Sequence, residues 1–161
     1  MNIEIVRAEK SDLEKMAQIA SESFSGLKEL KDAKTWLECN FSAYPRMQYF
    51  VALVDGEISG YILWTERGGF RKESVFELEQ IAVDQKFRGK GVATKIIEDS
   101  FLEIKKYVEN RGAVLKAVEV TTGVDNQAQR LYTKTMGAKV ECVVKDLFRG
   151  DEVIMLARFN K

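Results

Sequence analysis

One segment restricts the fold more than any other: QIAVDQKFRGKGVATKIIEDSF, residues Gln80 to Phe101. An apolar, strand-like run passes through a basic turn with glycines at 89 and 91. It continues directly into a helical pattern whose inward positions are Ala93, Ile97, Phe101, Ile104 and Val108. A strand feeding a helix through a short turn is the building unit of an α/β fold. The start of that helix carries free N–H groups and the positive end of the helix dipole. Gly89 and Gly91 let a ligand approach the backbone closely, and Arg88 and Lys90 add charge, so the turn suits a phosphate.

The rest of the chain alternates strand and helix patterns. Ile3 to Arg7 alternate as a short strand, and Ser11 to Glu14 fit a capping box. The helix that follows places Leu13, Met16, Ala17, Ala20 and Phe24 on one face until Ser25-Gly26. A second helix is expected over about Leu27 to Phe41, with Leu30, Ala33, Trp36 and Leu37 inward and Pro45 marking its exit. Residues 47–69 read as two strands joined at Asp55-Gly56, a dipeptide that tolerates the positive φ of a tight hairpin. A polar turn, Arg67 to Ser74, leads to a third strand over Val75 to Val83, and the long helix runs from Gly89 to about Asn110, with Gly112 as its stop. A strand at Val114 to Thr121 and a short helix near Asn126 to Met136 follow. The chain closes with a hairpin of Ala138 to Asp146 and Glu152 to Phe159 around Arg149-Gly150. The order implies one α/β domain over residues 1–161, built on a mixed sheet of about seven strands whose faces helices can cover.

Composition narrows the function. The 161 residues, 45% of them hydrophobic, suffice for one core and are short for two. Twenty-five Lys and Arg balance 25 Asp and Glu, so no global field favours nucleic acid or an acidic membrane, and neither partner is expected. The longest apolar run, Tyr49 to Val54, is too short to span a bilayer, and MNIEIVRAEK lacks the apolar middle of a signal peptide, so a cytoplasmic protein is expected. Cys39 and Cys142 have no metal-ligand spacing, and Cys142 reads as a small buried strand residue. The chain contains no histidine, which removes Ser-His-Asp, Cys-His and His-zinc chemistry together; no metal is expected.

Two phosphate loops fail on these letters. No glycine has Gly-Lys-Ser or Gly-Lys-Thr five positions on, as the Walker pattern requires. A dinucleotide fingerprint starting at Gly89 would meet Thr94 where its third glycine belongs, and Glu109 ends a helix rather than a second strand. Arg88-Gly89-Lys90-Gly91-Val92-Ala93, following Ile81-Ala82-Val83, instead resembles the acetyl-CoA loop Q/R-x-x-G-x-G/A of the GNAT superfamily of N-acetyltransferases. The element order is similar to that family's over nearly the whole chain.

The resemblance implies a mostly antiparallel mixed sheet with helices on both faces and acetyl-CoA as cosubstrate. It assigns the pyrophosphate to the turn from Arg88 to Thr94 and the pantetheine arm to the backbone of Ile81, Ala82 and Val83. The acceptor would be a small-molecule or peptide amine, and a homodimer is left open. A second family signature is an Asn followed by Ala three on, Tyr seven on, and Gly four after the Tyr. In VDNQAQRLYTKTMGAKVE, Ala128 and Tyr132 keep those spacings from Asp125 rather than Asn126, and Gly137 is five after Tyr132. Either Asp125 or Asn126 fills the Asn position.

Acyl transfer to an amine needs a neutral amine, a stabilised oxyanion and a proton for the departing thiolate. Without histidine, carboxylates lead for the base. Glu77 and Glu79 point to one face by alternation. Glu77, eleven before Arg88, matches the glutamate base of the histone-acetylating branch, whereas Glu79 lies nearer the expected thioester; a water relay is the third option. The resemblance makes Tyr132 the acid, although helical spacing alone would place it in the core. The expected activity is acetyl transfer from acetyl-CoA directly to a primary amine. The alternative is a non-catalytic acyl-CoA sensor, which would need neither Tyr132 nor a glutamate. Loops at Ser25 to Leu30, Arg67 to Ser74 and Arg149-Gly150 would set acceptor choice.

Overall fold

The computed structural model describes residues 1–159. Its strands are β1 (Ile3–Arg7), β2 (Met47–Val54), β3 (Glu57–Arg67), β4 (Glu73–Val83), β5 (Val114–Gly123), β6 (Lys139–Val144) and β7 (Glu152–Arg158). Its helices are α1 (Leu13–Ser23), α2 (Leu30–Ser42), α3 (Val92–Asn110) and α4 (Ala128–Met136). The strands form one seven-stranded sheet in the order β1-β2-β3-β4-β5-β7-β6. β4 and β5 pair in parallel, while β1–β2, β5–β7 and β6–β7 are antiparallel. The fold is therefore the mixed α/β sheet that the order of elements implied, and the mostly antiparallel one that the resemblance implied. Within it the described residues form two compact units, residues 1–64 with 80–100, and residues 65–79 with 101–159.

In the first unit, alternation along β3 sorts the core. Tyr61 and Leu63 join Met16, Ala17, Ala33 and Leu37 beneath α1 and α2. Ile62 and Trp64 turn to the opposite face, where Trp64 Nε1 donates to Ser100 Oγ of α3 at 2.9 Å beside the buried Ile96 and Ile97. Helices thus cover both faces here.

Two helices differ from expectation. Residues Ser25–Leu27 form a 3-10 turn, so α2 begins at Leu30, and Leu30 and Trp36 are 39% and 44% exposed instead of inward. Its buried face is Ala33, Leu37 and Asn40, because Asn40 Nδ2 donates to the Tyr49 hydroxyl at 3.0 Å and a satisfied amide can enter a core. Helix α3 begins at Val92, not Gly89, because Gly89 and Gly91 adopt φ of +72° and +82°, outside the helical region. Val92, Ile96, Ile97, Ile104 and Val108 are its buried apolar positions, with Ala93 and Phe101 only half-buried.

In the second unit, Phe76 of β4 meets Tyr107 of α3 edge-to-face with ring centroids 6.4 Å apart. The edge strand β6 is exposed along most of its length, so Cys142 is a surface residue and not the buried one its strand context predicted. Glu66, buried at the end of β3, is held by Arg111 just beyond α3. Arg111 Nη1 donates to Oε2 at 2.6 Å, Nη2 donates to Oε1, and Ser74 Oγ donates to Oε1 at 2.9 Å. The guanidinium also lies over Phe70 and Tyr107, at 5.4 and 5.3 Å, and donates to the Arg71 carbonyl at 3.2 Å. These contacts tie the turn between β3 and β4 to the end of α3. Arg111→Ala would strand a buried carboxylate, an event that costs about 3–5 kcal/mol. Thermal unfolding should then fall by roughly 10 °C. A fall of less than ~2 °C would show that Glu66 finds another partner.

Strand β4 does not alternate along its whole length. Thr65 and Tyr61 are four apart on β3 and share a face. Thr65 Oγ1 donates to Glu79 Oε2 at 2.6 Å, and the Tyr61 hydroxyl donates to Gln80 Oε1 at 3.3 Å. Adjacent residues of β4 therefore turn to the same side, which is the behaviour of a β-bulge.

Candidate active site

Val83 ends β4, and Asp84 caps the 3-10 turn Gln85–Phe87 by accepting from the Lys86 N–H at 3.1 Å. Lys15 of α1 reaches the same carboxylate at 3.1 Å. Arg88 Nε donates to the Val83 carbonyl at 2.9 Å, anchoring the guanidinium to the strand end. The chain then passes through the two left-handed glycines. A Cβ at either would meet nothing within 4 Å, so glycine answers a backbone requirement and the space outside is open. The N–H groups from Gly89 to Thr94 donate to no acceptor among the described residues, and helical closure starts with Lys95 N–H to the Gly91 carbonyl at 3.1 Å. Val83, Phe87, Arg88, Gly91, Val92 and Thr94 help to line a hollow of about 240 Å³ there. Aligned, unsatisfied donors at the start of a 19-residue helix, with an arginine beside them, form a cradle for an anion. Ala82 is buried in the core and Ile81 and Val83 are half-buried, which leaves their side chains packing roles.

Farther back on β4, Glu77 and Glu79 face one side, as alternation predicted. Arg67 Nη1 donates to Glu77 Oε2 at 2.6 Å, and Thr65, two positions away on β3, holds Glu79. Glu119 of β5 is the register partner of Glu77 and adds a third carboxylate, with no ion pair among the described residues. Burial pushes the Glu77 carboxyl above the usual carboxylate range; Arg67 opposes that rise, and Glu79 and Glu119 add to it. Sequence periodicity missed both Arg67 and Glu119, since only strand register brings them to Glu77.

Tyr132 lies on α4 and is only 5% exposed. Its hydroxyl has no hydrogen-bond partner among the described residues. Nor is its oxygen sealed in, because among those residues the one fully buried side-chain atom without a partner is Ser23 Oγ. Burial pushes the phenol pKa up to about 12, so the proton stays on at neutral pH. Asn126 Oδ1 accepts from the Ala128 N–H and its Nδ2 donates to Thr122 Oγ1, both at 2.9 Å, so this side chain organises the start of α4. Among the described residues no helix is long and apolar enough to cross a membrane, and no group of three His, Cys, Asp or Glu could hold a metal ion.

The Acetyltransferase (GNAT) family matches residues 13–138. The chain belongs to this family. Uncharacterized N-acetyltransferases of two archaea are similar to the GNAT chain described here. That of Methanocaldococcus jannaschii is 27% identical over 148 residues, covering 87% of this chain and 62% of its own length. That of Archaeoglobus fulgidus is 28% identical over 138 residues, covering 81% of this chain and 89% of its own. The chain thus spans less than two thirds of the first relative. Among solved structures, a chain of the NatC complex bound to Gag peptide and CoA superposes with a TM-score of 0.79 at 15% identity, over 99% of this GNAT chain and 100% of that one.

Proposed function

We propose that the protein is an N-acetyltransferase that moves an acetyl group from acetyl-CoA directly to a primary amine. The observation that carries this is the row of unpaired N–H groups from Gly89 to Thr94 beside Arg88, which suits the pyrophosphate of coenzyme A. Lys90 adds charge, and the backbone of Ile81, Ala82 and Val83 is assigned to the pantetheine arm and the thioester carbonyl. In the reaction the amine nitrogen attacks the thioester carbon, a C–N bond forms and the C–S bond breaks. A glutamate takes the ammonium proton, Glu77 being favoured by its raised pKa and Glu79 being the other candidate. Tyr132 gives its proton to the departing thiolate. Membership of the family together with the half-buried carboxylates at 77, 79 and 119 favours an acceptor that arrives as a cation.

Coenzyme A release, measured with a panel of polyamines, amino acids, aminoglycosides and peptide amines, tests the activity. Binding without release for every acceptor would leave the protein as an acyl-CoA sensor. The base is tested separately with Glu77→Gln, Glu79→Gln and the double variant. Removing the base should cost about 10²–10⁴ in kcat at neutral pH, with the loss shrinking as rising pH deprotonates the free amine. A glutamate that only attracts the acceptor would instead raise KM with kcat largely intact and weaken with salt. A double variant with the parent's kcat and pH profile, under chemistry-limited conditions, would move the role to a water relay.

A further inference from the structure

We propose that Arg67 is a positioning residue of the reaction, clamping Glu77 Oε2 so that this carboxylate stays ionised and aimed on the face it shares with Glu79 and Glu119. This rests on the reading of Glu77 as the base. The charged groups facing Glu77 are Arg67 from β3, Glu79 from β4 itself and Glu119 from β5. Glu77 is 14% exposed at its side chain and stands directly beside Glu119 in the β4–β5 ladder. Burial and two like charges both favour the protonated carboxyl, and a protonated carboxyl cannot accept a proton from an ammonium. Among the described residues Arg67 is the one cation set against that tendency, through a charge-assisted contact of 2.6 Å. The Arg67 side chain is itself 50% exposed, so the pair adds little to stability. Its effect falls on Glu77. Only Nη1 makes the contact, so a lysine ammonium at the same place can supply most of the charge.

The test follows the Glu77 carboxyl directly, by ¹³C NMR of the full chain labelled at glutamate Cδ, with Glu77→Gln identifying the signal. In parallel, kcat/KM is measured against pH for the parent, Arg67→Ala, Arg67→Lys and Glu77→Gln. Arg67→Ala should raise the Glu77 midpoint by about one pH unit and carry the acid limb of kcat/KM with it. The loss should be about tenfold at the acid end and shrink with rising pH. Arg67→Lys should restore most of both. A purely structural arginine would lower activity by the same factor at every pH. An unmoved NMR midpoint in Arg67→Ala overturns the clamp, and a moved midpoint with an unmoved acid limb overturns its part in catalysis. If Glu77→Gln keeps full activity, the base assignment fails instead, while the NMR titration still reports on the clamp.

Discussion

Gly91→Glu should abolish acetyl-CoA binding while the sheet stays folded. Position 91 is open to solvent-side space, so the new side chain displaces no protein atom. Its carboxylate enters the hollow where a row of N–H donors is proposed to meet the pyrophosphate, and two like charges would then compete for the same donors. Gly91→Ala is the necessary control, because φ of +82° costs any L-residue roughly 1–2 kcal/mol whatever its charge. The alanine variant should lose a few degrees of thermal stability and retain measurable affinity. The glutamate variant should show no heat of binding in calorimetry at concentrations that saturate the parent. An unchanged Kd in Gly91→Glu would remove the anion cradle from the account altogether.

Tyr132→Phe should lower kcat by about 10²–10⁴ with acetyl-CoA affinity unchanged, because only the hydroxyl proposed as the proton donor is lost. The unpartnered hydroxyl makes the result readable. Deleting it breaks no hydrogen bond among the described residues, so the melting temperature should hold or rise slightly, separating chemistry from folding. With its pKa near 12, the phenol stays protonated across the working range, and an alkaline decline of the parent enzyme must come from another group. Should kcat stay at the parent value while chemistry limits the rate, Tyr132 is a core aromatic of α4 and the thiolate takes its proton from water.

The parts of this molecule that were legible in the sequence are those encoded by neighbours in the chain. Asp55-Gly56 announced the β2–β3 hairpin, and both residues have positive φ, 48° and 87°. The glycine turn and the shared face of Glu77 and Glu79 were equally local. What escaped depends on partners far along the chain. Asn40 enters the core with its amide bonded to the Tyr49 hydroxyl, a contact that no helical period contains, and Trp36 stays 44% exposed. Arg67 and Glu119 meet Glu77 only through the registers of β3 and β5. The start of α3 was misplaced by three residues because the pattern of apolar positions says nothing of the left-handed φ at Gly89 and Gly91.

The slip at Glu79 and Gln80 gives β4 two phases. Before it, odd-numbered residues carry the carboxylates to the face of Thr65 and Arg67; after it, even-numbered residues, Gln80 and Ala82, take that face. Were the slip lost with every residue kept, unbroken alternation would invert every side chain beyond it and send Ala82 out of the core, whereas deleting one residue at the slip would remove the bulge and leave Ala82 facing inward. Residue count is therefore as binding as residue type in this strand. Substitutions at 79 or 80 alter chemistry locally, whereas a single residue inserted there, with no second bulge to absorb it, would exchange the inner and outer faces of the segment leading into the glycine turn.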